Sequence, residues 1–429
     1  MSSLPRAVDV AIVGGGTSGA AAARYLAEHG ARVLCLERRA LDEAGARWVN
    51  GITRAALAEA NIVLPRTAVL GGPHPMHMMT AKGRVTIREH DVIDVDMRAL
   101  VALLQDQARA AGAVLVGDTA VLARERDRLV TDRGDVTARW IVDASGLSGA
   151  RLLDQELVPS RHLCAAAQAV FEIRDPAGAA AFFADAGVAP GEVYSRLGVA
   201  GGFSTLSVCL NDGGATVGIL AGSIPALGHP SGKTILDRFV RGQAWIGTRV
   251  FGGQGAIPLR RPYDRLASGN VALIGDAGCQ VFPAHGSGIG AGMLAAKLLA
   301  DTLAANRPLR DYEVAWHRRW GGLFATYDAF RRWNQTMDPE LLDELMAAGL
   351  LDATTARAGL DQSMPELSLA NIQPKARALR ERPRLLAGML RVAAQAGVVQ
   401  LLSALYPRSE NGWFRVWAAS MASILEVGA

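Results

Sequence analysis

The sequence predicts a mixed α/β fold (α+β in its full extent), with a Rossmann-like parallel-sheet domain, an inserted antiparallel sheet and a helical C-terminal region. Three observations carry this. Two strand–glycine–helix segments lie far apart, at "VDVAIVGGGTSGAAAARYLAEHG" and "NVALIGDAGCQVFPAHGSGIGAGMLAAKLLADTLAA". Between them, residues 165–250 alternate β-type runs with glycine turns. From about Pro308 the pattern is helical, with breaks at Pro339, Pro365, Pro374, Pro383 and Pro407.

The first segment opens on a short β-branched strand. Gly14, Gly16 and Gly19 follow in the GxGxxG spacing, then a helix of small residues stopped by Gly30 and a second strand, "ARVLCLERR", with Glu37 at its tip. Glycines there permit a tight turn and let a pyrophosphate approach the backbone, and the free N–H groups of the helix start favour phosphate charge. Glu37 suits ribose hydroxyls. Thr17, Ser18 and Arg38 flank these positions, so the set reads as an adenine-dinucleotide site.

The second segment decides which dinucleotide. Asp276 stands beyond a buried strand, between Gly275 and the cluster Gly286, Gly288, Gly290 and Gly292 that opens a long helix with Ile289. A carboxylate followed by a helix N-terminus suits a polyol chain and a ring that gains negative charge, which is the chemistry of FAD rather than of nicotinamide.

Together with "GAIPLRRPYDRLASGNVALIGDAG", these stretches resemble the flavoprotein superfamily of geranylgeranyl reductases, aromatic-ring hydroxylases and flavin-dependent halogenases, nearest the geranylgeranyl reductase branch. The likeness covers residues 7–155 and 252–335. It implies a Rossmann-like FAD domain over residues 1–160 and 252–306, a substrate sheet over 161–251 and a helical region over 307–429. It also implies that Asp276 binds the ribityl chain and that Pro283 and the following glycines run along the flavin edge. Asp143, in "WIVDASG", would tie the cofactor loop. The superfamily places an arginine near the start of the helix read from "DVIDVDMRALVALLQDQARAAG", where Met97 stands, so Arg98 is carried over one residue late.

The sequence departs from the reductase branch at two places. "GGFSTLSVCL" lacks the branch's tryptophan and proline, leaving Phe203, and "ARWVNGITRAAL" offers Trp48 and Asn50 where many members have cysteine. The three residues are taken as substrate contacts. His285, beside the flavin by its neighbours, is the candidate catalytic group. Halogenase signatures are not visible.

The resemblance implies an FAD-dependent oxidoreductase acting on a hydrophobic small molecule, reducing isoprenoid double bonds, with NADPH, NADH or a reduced carrier as electron donor. The alternatives are a flavin monooxygenase and a non-catalytic FAD or prenyl-chain binder. Net charge of +4 over 429 residues, with both signs interspersed, argues against nucleic acid. Cys35, Cys164, Cys209 and Cys279 form no CxxC pair, so neither zinc nor a disulfide framework is signalled. "GGPHPMHMM", with His74 and His77, reads as a loop over the substrate pocket and not as a metal site. "GHPSGKT" misses a phosphate loop because Leu227 stands where glycine is required. The N-terminus shows no secretory pattern, so the reading is cytoplasmic, with peripheral membrane contact open to the C-terminal helices.

Overall fold

A computed structural model describes residues 4–366 and 369–426. Along the chain come β1 (Ala7–Val13), α1 (Thr17–Glu28), β2 (Val33–Leu36), β3 (Val49–Thr53), α2 (Arg54–Glu59), β4 (Val69–Gly71), β5 (Met76–Met79), β6 (Arg84–Ile87), β7 (Val92–Asp96) and α3 (Met97–Ala110). Then follow β8 (Val114–Val116), β9 (Val121–Glu125), β10 (Arg128–Thr131), β11 (Val136–Asp143), β12 (Leu163–Ile173), α4 (Pro176–Asp185), β13 (Val193–Leu197), β14 (Ser204–Asn211), β15 (Thr216–Ser223), α5 (Gly232–Arg241) and β16 (Ile246–Pro258). The last part holds β17 (Ala267–Ser268), β18 (Val271–Leu273), α6 (Ile289–Ala304), α7 (Leu309–Trp316), α8 (Gly322–Gln335), α9 (Pro339–Ala347), α10 (Ala353–Leu360), α11 (Leu369–Arg380), α12 (Pro383–Ala404) and α13 (Gly412–Glu426).

The first sheet has the order β17-β18-β11-β1-β2-β8. Strands β18, β11, β1, β2 and β8 run parallel, and β9 and β10 join antiparallel beside β11. Burial on both faces explains why β2, β18 and the second half of β1 are continuous apolar runs without alternation. Val10, Ile12 and Cys35 pack under the alanines of α1 and α6, while Ala11, Leu34 and Ile141 serve the opposite core. The two glycine-rich segments, far apart in sequence, thereby come to the strands that flank β11 in one sheet.

The second sheet, β16-β12-β15-β14-β13-β5-β6, is antiparallel except for the β13–β5 pair. Five of its strands come from the 161–258 stretch; β5 and β6 come from a stretch that the sequence reading placed with the cofactor segments. One face packs on α4 and α5 through Phe171, Val208, Ile219, Phe183, Leu236 and Trp245. A third sheet, β3-β7-β4, bridges the two.

Three local readings are corrected. The helix read from Asp91 starts only at Met97, because "VIDVD" alternates in burial as a strand and the Asp96 carboxylate caps the N–H groups of Arg98 and Ala99. The loop read at "GGPHPMHMM" is in part strand β5, whose alternation buries His77 against Thr86 and Glu192 and turns Met76 and Met78 to a cavity. The break read at Pro374 is absent: α11 runs through that position, and Ala378 and Leu379 join the core under α9, α10 and α12. Pro339 and Pro383 do start helices, at the first position where a missing N–H costs nothing.

Helix α12 is long and apolar enough to cross a membrane by length and composition. Here Leu385, Val392 and Val399 are buried, and Trp333 of α8 fills the notch left by Gly388, where a Cβ would come 2.4 Å from its Nε1.

Candidate functional site

The β1–α1 turn is built so that only glycine fits. Gly14 has φ +106°, and a Cβ there would lie 2.4 Å from the Ala144 carbonyl oxygen; a Cβ at Gly19 would strike the Gly14 carbonyl. Helix α1 begins at Gly16 with no side-chain cap and no acid in its first turn, although α3, α4, α5, α9 and α10 are capped by Asp96, Asp175, Ser231, Asp338 and Asp352. Its first N–H groups are thus left for an external acceptor. Buried Glu37 accepts from the Gly15 N–H at 2.8 Å through one oxygen and from the Arg39 N–H at 3.0 Å through the other. From α3, buried Gln105 donates to the Gly15 and Leu41 carbonyls at 3.0 and 2.9 Å, fixing the turn from behind.

The β18–α6 segment faces the same space. Gly275, at φ +64°, is held by Gln280, whose Oε1 accepts its N–H at 2.8 Å; Gln280 in turn donates to the Tyr312 hydroxyl. The glycines here make room for protein. A Cβ at Gly275 or Gly292 would come 2.4 or 2.2 Å from Ser18 Oγ, and one at Gly290 would meet Ala56, so removing these side chains lets α1 and α2 lie close against the β18–α6 segment. Asp276 sits at the resulting crease. No donor among the described residues reaches its carboxylate, and burial pushes it up to about 6. Helix α6 starts at Gly288, also without a side-chain cap.

Beyond the loop Ala284–Ser287 lies a cavity of about 1630 Å³, bounded by the second and third sheets and by α8, α9, α10 and α12. Its wall is mostly apolar. Trp48 lies over β16, where a Cβ at Gly253 would come 2.8 Å from the indole; Asn50 and Phe203 also line the space. His285 faces it too, reachable by water inside the cavity yet enclosed by protein, and burial lowers its imidazole to about 4. Its Nδ1 accepts the Ser287 N–H at 3.3 Å, which leaves Nε2 protonated and the ring neutral at pH 7.

The family described as FAD dependent oxidoreductase matches residues 9–66. A digeranylgeranylglycerophospholipid reductase of Methanoculleus marisnigri is 27% identical over 335 residues, covering 72% of this chain and 81% of that protein. The crystal structure of a geranylgeranyl bacteriochlorophyll reductase-like protein from Thermoplasma acidophilum superposes with a TM-score of 0.72 at 19% identity, covering 90% of this chain and 99% of that one. A myxobacterial chondrochloren halogenase gives 0.60 at 16% identity, over 88% and 97% of the two chains. The protein is an FAD-dependent oxidoreductase.

The flavoprotein's two crevices fit that cofactor. Uncapped helix starts can receive a pyrophosphate, and the unpartnered Asp276 carboxylate can accept from ribityl hydroxyls. Gly14, Gly16, Thr17, Ser18 and Gly19 lie at the first turn and Gly275, Pro283, Gly286, Gly288 and Ile289 at the second. Asp143 works at one remove: its carboxylate accepts from the Ser145 and Leu152 N–H groups at 3.0 and 2.9 Å, tying down the loop beside Gly14. Arg38 and Arg98 are exposed, and neither side chain has a partner among the described residues.

Sequence reading missed several groups. Gln105 repeats with Leu100, Leu104 and Ala108 on the buried face of α3, and a polar residue in an apolar stripe was its only signal. Tyr327, Arg331 and Asp94 reach the cavity only through the tertiary fold. Arg331 is fully buried beside His162 and Asp328; burial would raise Asp328, yet Arg332 and Arg331 hold it far below the carboxylate range.

Proposed function

We propose that this flavoprotein reduces carbon–carbon double bonds in a long apolar, isoprenoid-type chain, drawing electrons from NADPH, NADH or a reduced carrier. The cavity carries the reading: it exceeds the about 300–1,000 Å³ of pockets for drug-sized ligands, its wall is mainly apolar, and it ends at the loop Ala284–Ser287. The named reductase relative agrees in substrate class.

Bound FAD would supply the hydride. The residues of this chain bind and aim. Gly14 to Gly19 would receive the pyrophosphate, Glu37 the ribose, Asp276 the ribityl chain, and Pro283 to Ile289 would border the ring. Trp48, Asn50 and Phe203 would orient the chain along the mainly apolar wall. Neutral His285 would donate from Nε2 to a ring or substrate acceptor. Contact with a lipid surface would run through α12, which exposes Leu390 and Leu401, and through Leu405 just after it.

The test is anaerobic. Photoreduced holoprotein, mixed with geranylgeraniol, should regain its yellow absorbance and yield a product two hydrogens heavier. Reoxidation by oxygen alone, coupled to hydroxylation of an aromatic candidate, would replace this reading with a monooxygenase.

A further inference from the structure

Reduction of a double bond needs a proton as well as a hydride, and the groups described so far do not supply it. His285 is neutral at pH 7. The Cys164 and Cys209 thiols are both pushed up to about 12 by burial, and Tyr327, also raised by burial, commits its O–H to the Ser363 carbonyl at 2.7 Å. Arg331 is taken by Asp328.

Resting on the proposed function, we propose that Asp94 is the proton donor of the reaction and that His74 returns its proton. Among the described residues lining the cavity, Asp94 is the one carboxyl group. It stands on β7, the central strand of the third sheet, paired with Gly51 of β3 on one side and Gly71 of β4 on the other. Both neighbours lack a side chain, so no directly paired cross-strand side chain flanks the carboxyl. Gly51 also sets its distance from the flavin loop, because the Gly51 carbonyl accepts from Ser287 Oγ at 3.3 Å.

The glycine at 71 has a second use. A Cβ there would come 2.5 Å from His74 Nε2, so its absence lets the imidazole lie over β4, with Nε2 3.7 Å from an Asp94 oxygen. The titratable groups facing Asp94 are His74, His90 and Cys209. His90 accepts the Val92 N–H at Nδ1, 3.2 Å, and its Nε2 donates to the His74 carbonyl at 2.7 Å, so it props the His74 turn. Burial raises the Asp94 carboxyl against the opposing pull of His74 and His90, the direction a neutral-pH acid needs.

The step balances. Bound reduced FAD would supply the hydride to one alkene carbon and would be left oxidised; the π bond breaks, the Asp94 O–H bond breaks, and its proton joins the other carbon. Two C–H bonds form, and the carboxylate regains a proton from water by way of His74.

The test compares holoprotein wild type, Asp94→Asn and Asp94→Glu in anaerobic single turnovers with geranylgeraniol across pH, with infrared spectra of the protonated carboxyl band alongside. Asp94→Asn should keep its FAD and its affinity for the alcohol, lose the band, and slow reoxidation by about 10²–10⁴-fold; Asp94→Glu should restore part of the rate. The wild-type rate should fall with rising pH as the band disappears, and that limb should be absent in Asp94→Asn. An Asp94→Asn rate equal to wild type, an unchanged band, or a retained pH limb overturns the assignment alone. Wild type that the alkene does not oxidise overturns the proposed function, and the assignment with it.

Discussion

Asp276→Asn should act with opposite signs on the apoprotein and on cofactor binding. Burial raises the carboxyl from 3.8 to about 6 with no cation to offset it. Between those values the native state holds a proton that the unfolded chain releases, so stability falls as pH rises and levels off above about 6. A gap of about two pH units at about 1.36 kcal/mol each places a cost of about 3 kcal/mol on the folded apoprotein at pH 8, and about 1 kcal/mol at pH 4.5. The amide removes that cost, so urea unfolding of apo Asp276→Asn should show a gain that is large at pH 8 and small at pH 4.5. FAD titration should show the reverse: losing hydrogen bonds to a charged acceptor, worth about 1.5–3 kcal/mol, weakens binding by about 10- to 100-fold. A variant no more stable than wild type at pH 8, with unchanged FAD affinity, would refute both the buried-charge reading and the ribityl assignment.

Gly292→Ala drives a methyl to within 2.2 Å of Ser18 Oγ and should cost about 1–3 kcal/mol in urea unfolding; adding Ser18→Ala should recover most of it, a coupling that a double-mutant cycle would read. Asp328→Asn leaves the fully buried Arg331 without its counter-charge, so a loss of about 3–5 kcal/mol in unfolding free energy is expected, and an unchanged unfolding curve would contradict the ion pair. His285→Ala should slow turnover while the bound flavin absorbance persists. Because the ring titrates only near 4, the wild-type profile from pH 6 to 8 should show no limb that this substitution removes.

The sequence by itself determined the parts that are written locally. A strand of Val and Ile, a glycine turn, alanine-rich helix and acid at a strand tip specify the nucleotide crevice, because each is a short-range backbone requirement. The second glycine cluster and Asp276 were equally visible, as was the antiparallel character of β12 to β16. The breaks read at Pro339 and Pro383 mark where α9 and α12 begin, but the strand β7 was hidden inside a helix-like run whose only warning was its alternation.

Tertiary structure decided the rest. The glycines of α6 proved to face Ser18 and Ala56, contacts between residues more than two hundred positions apart that no local pattern encodes. Strands β5 and β6 joined the substrate-side sheet, so Met76 and Met78 became cavity wall. Asp94 sits between two glycines that belong to other strands, and only strand pairing brings this carboxyl, a histidine and the loop Ala284–Ser287 to one cavity. A side chain's chemistry is local, but its burial and its neighbours are set by which distant strands pair, and those two quantities fix its pKa and its reach.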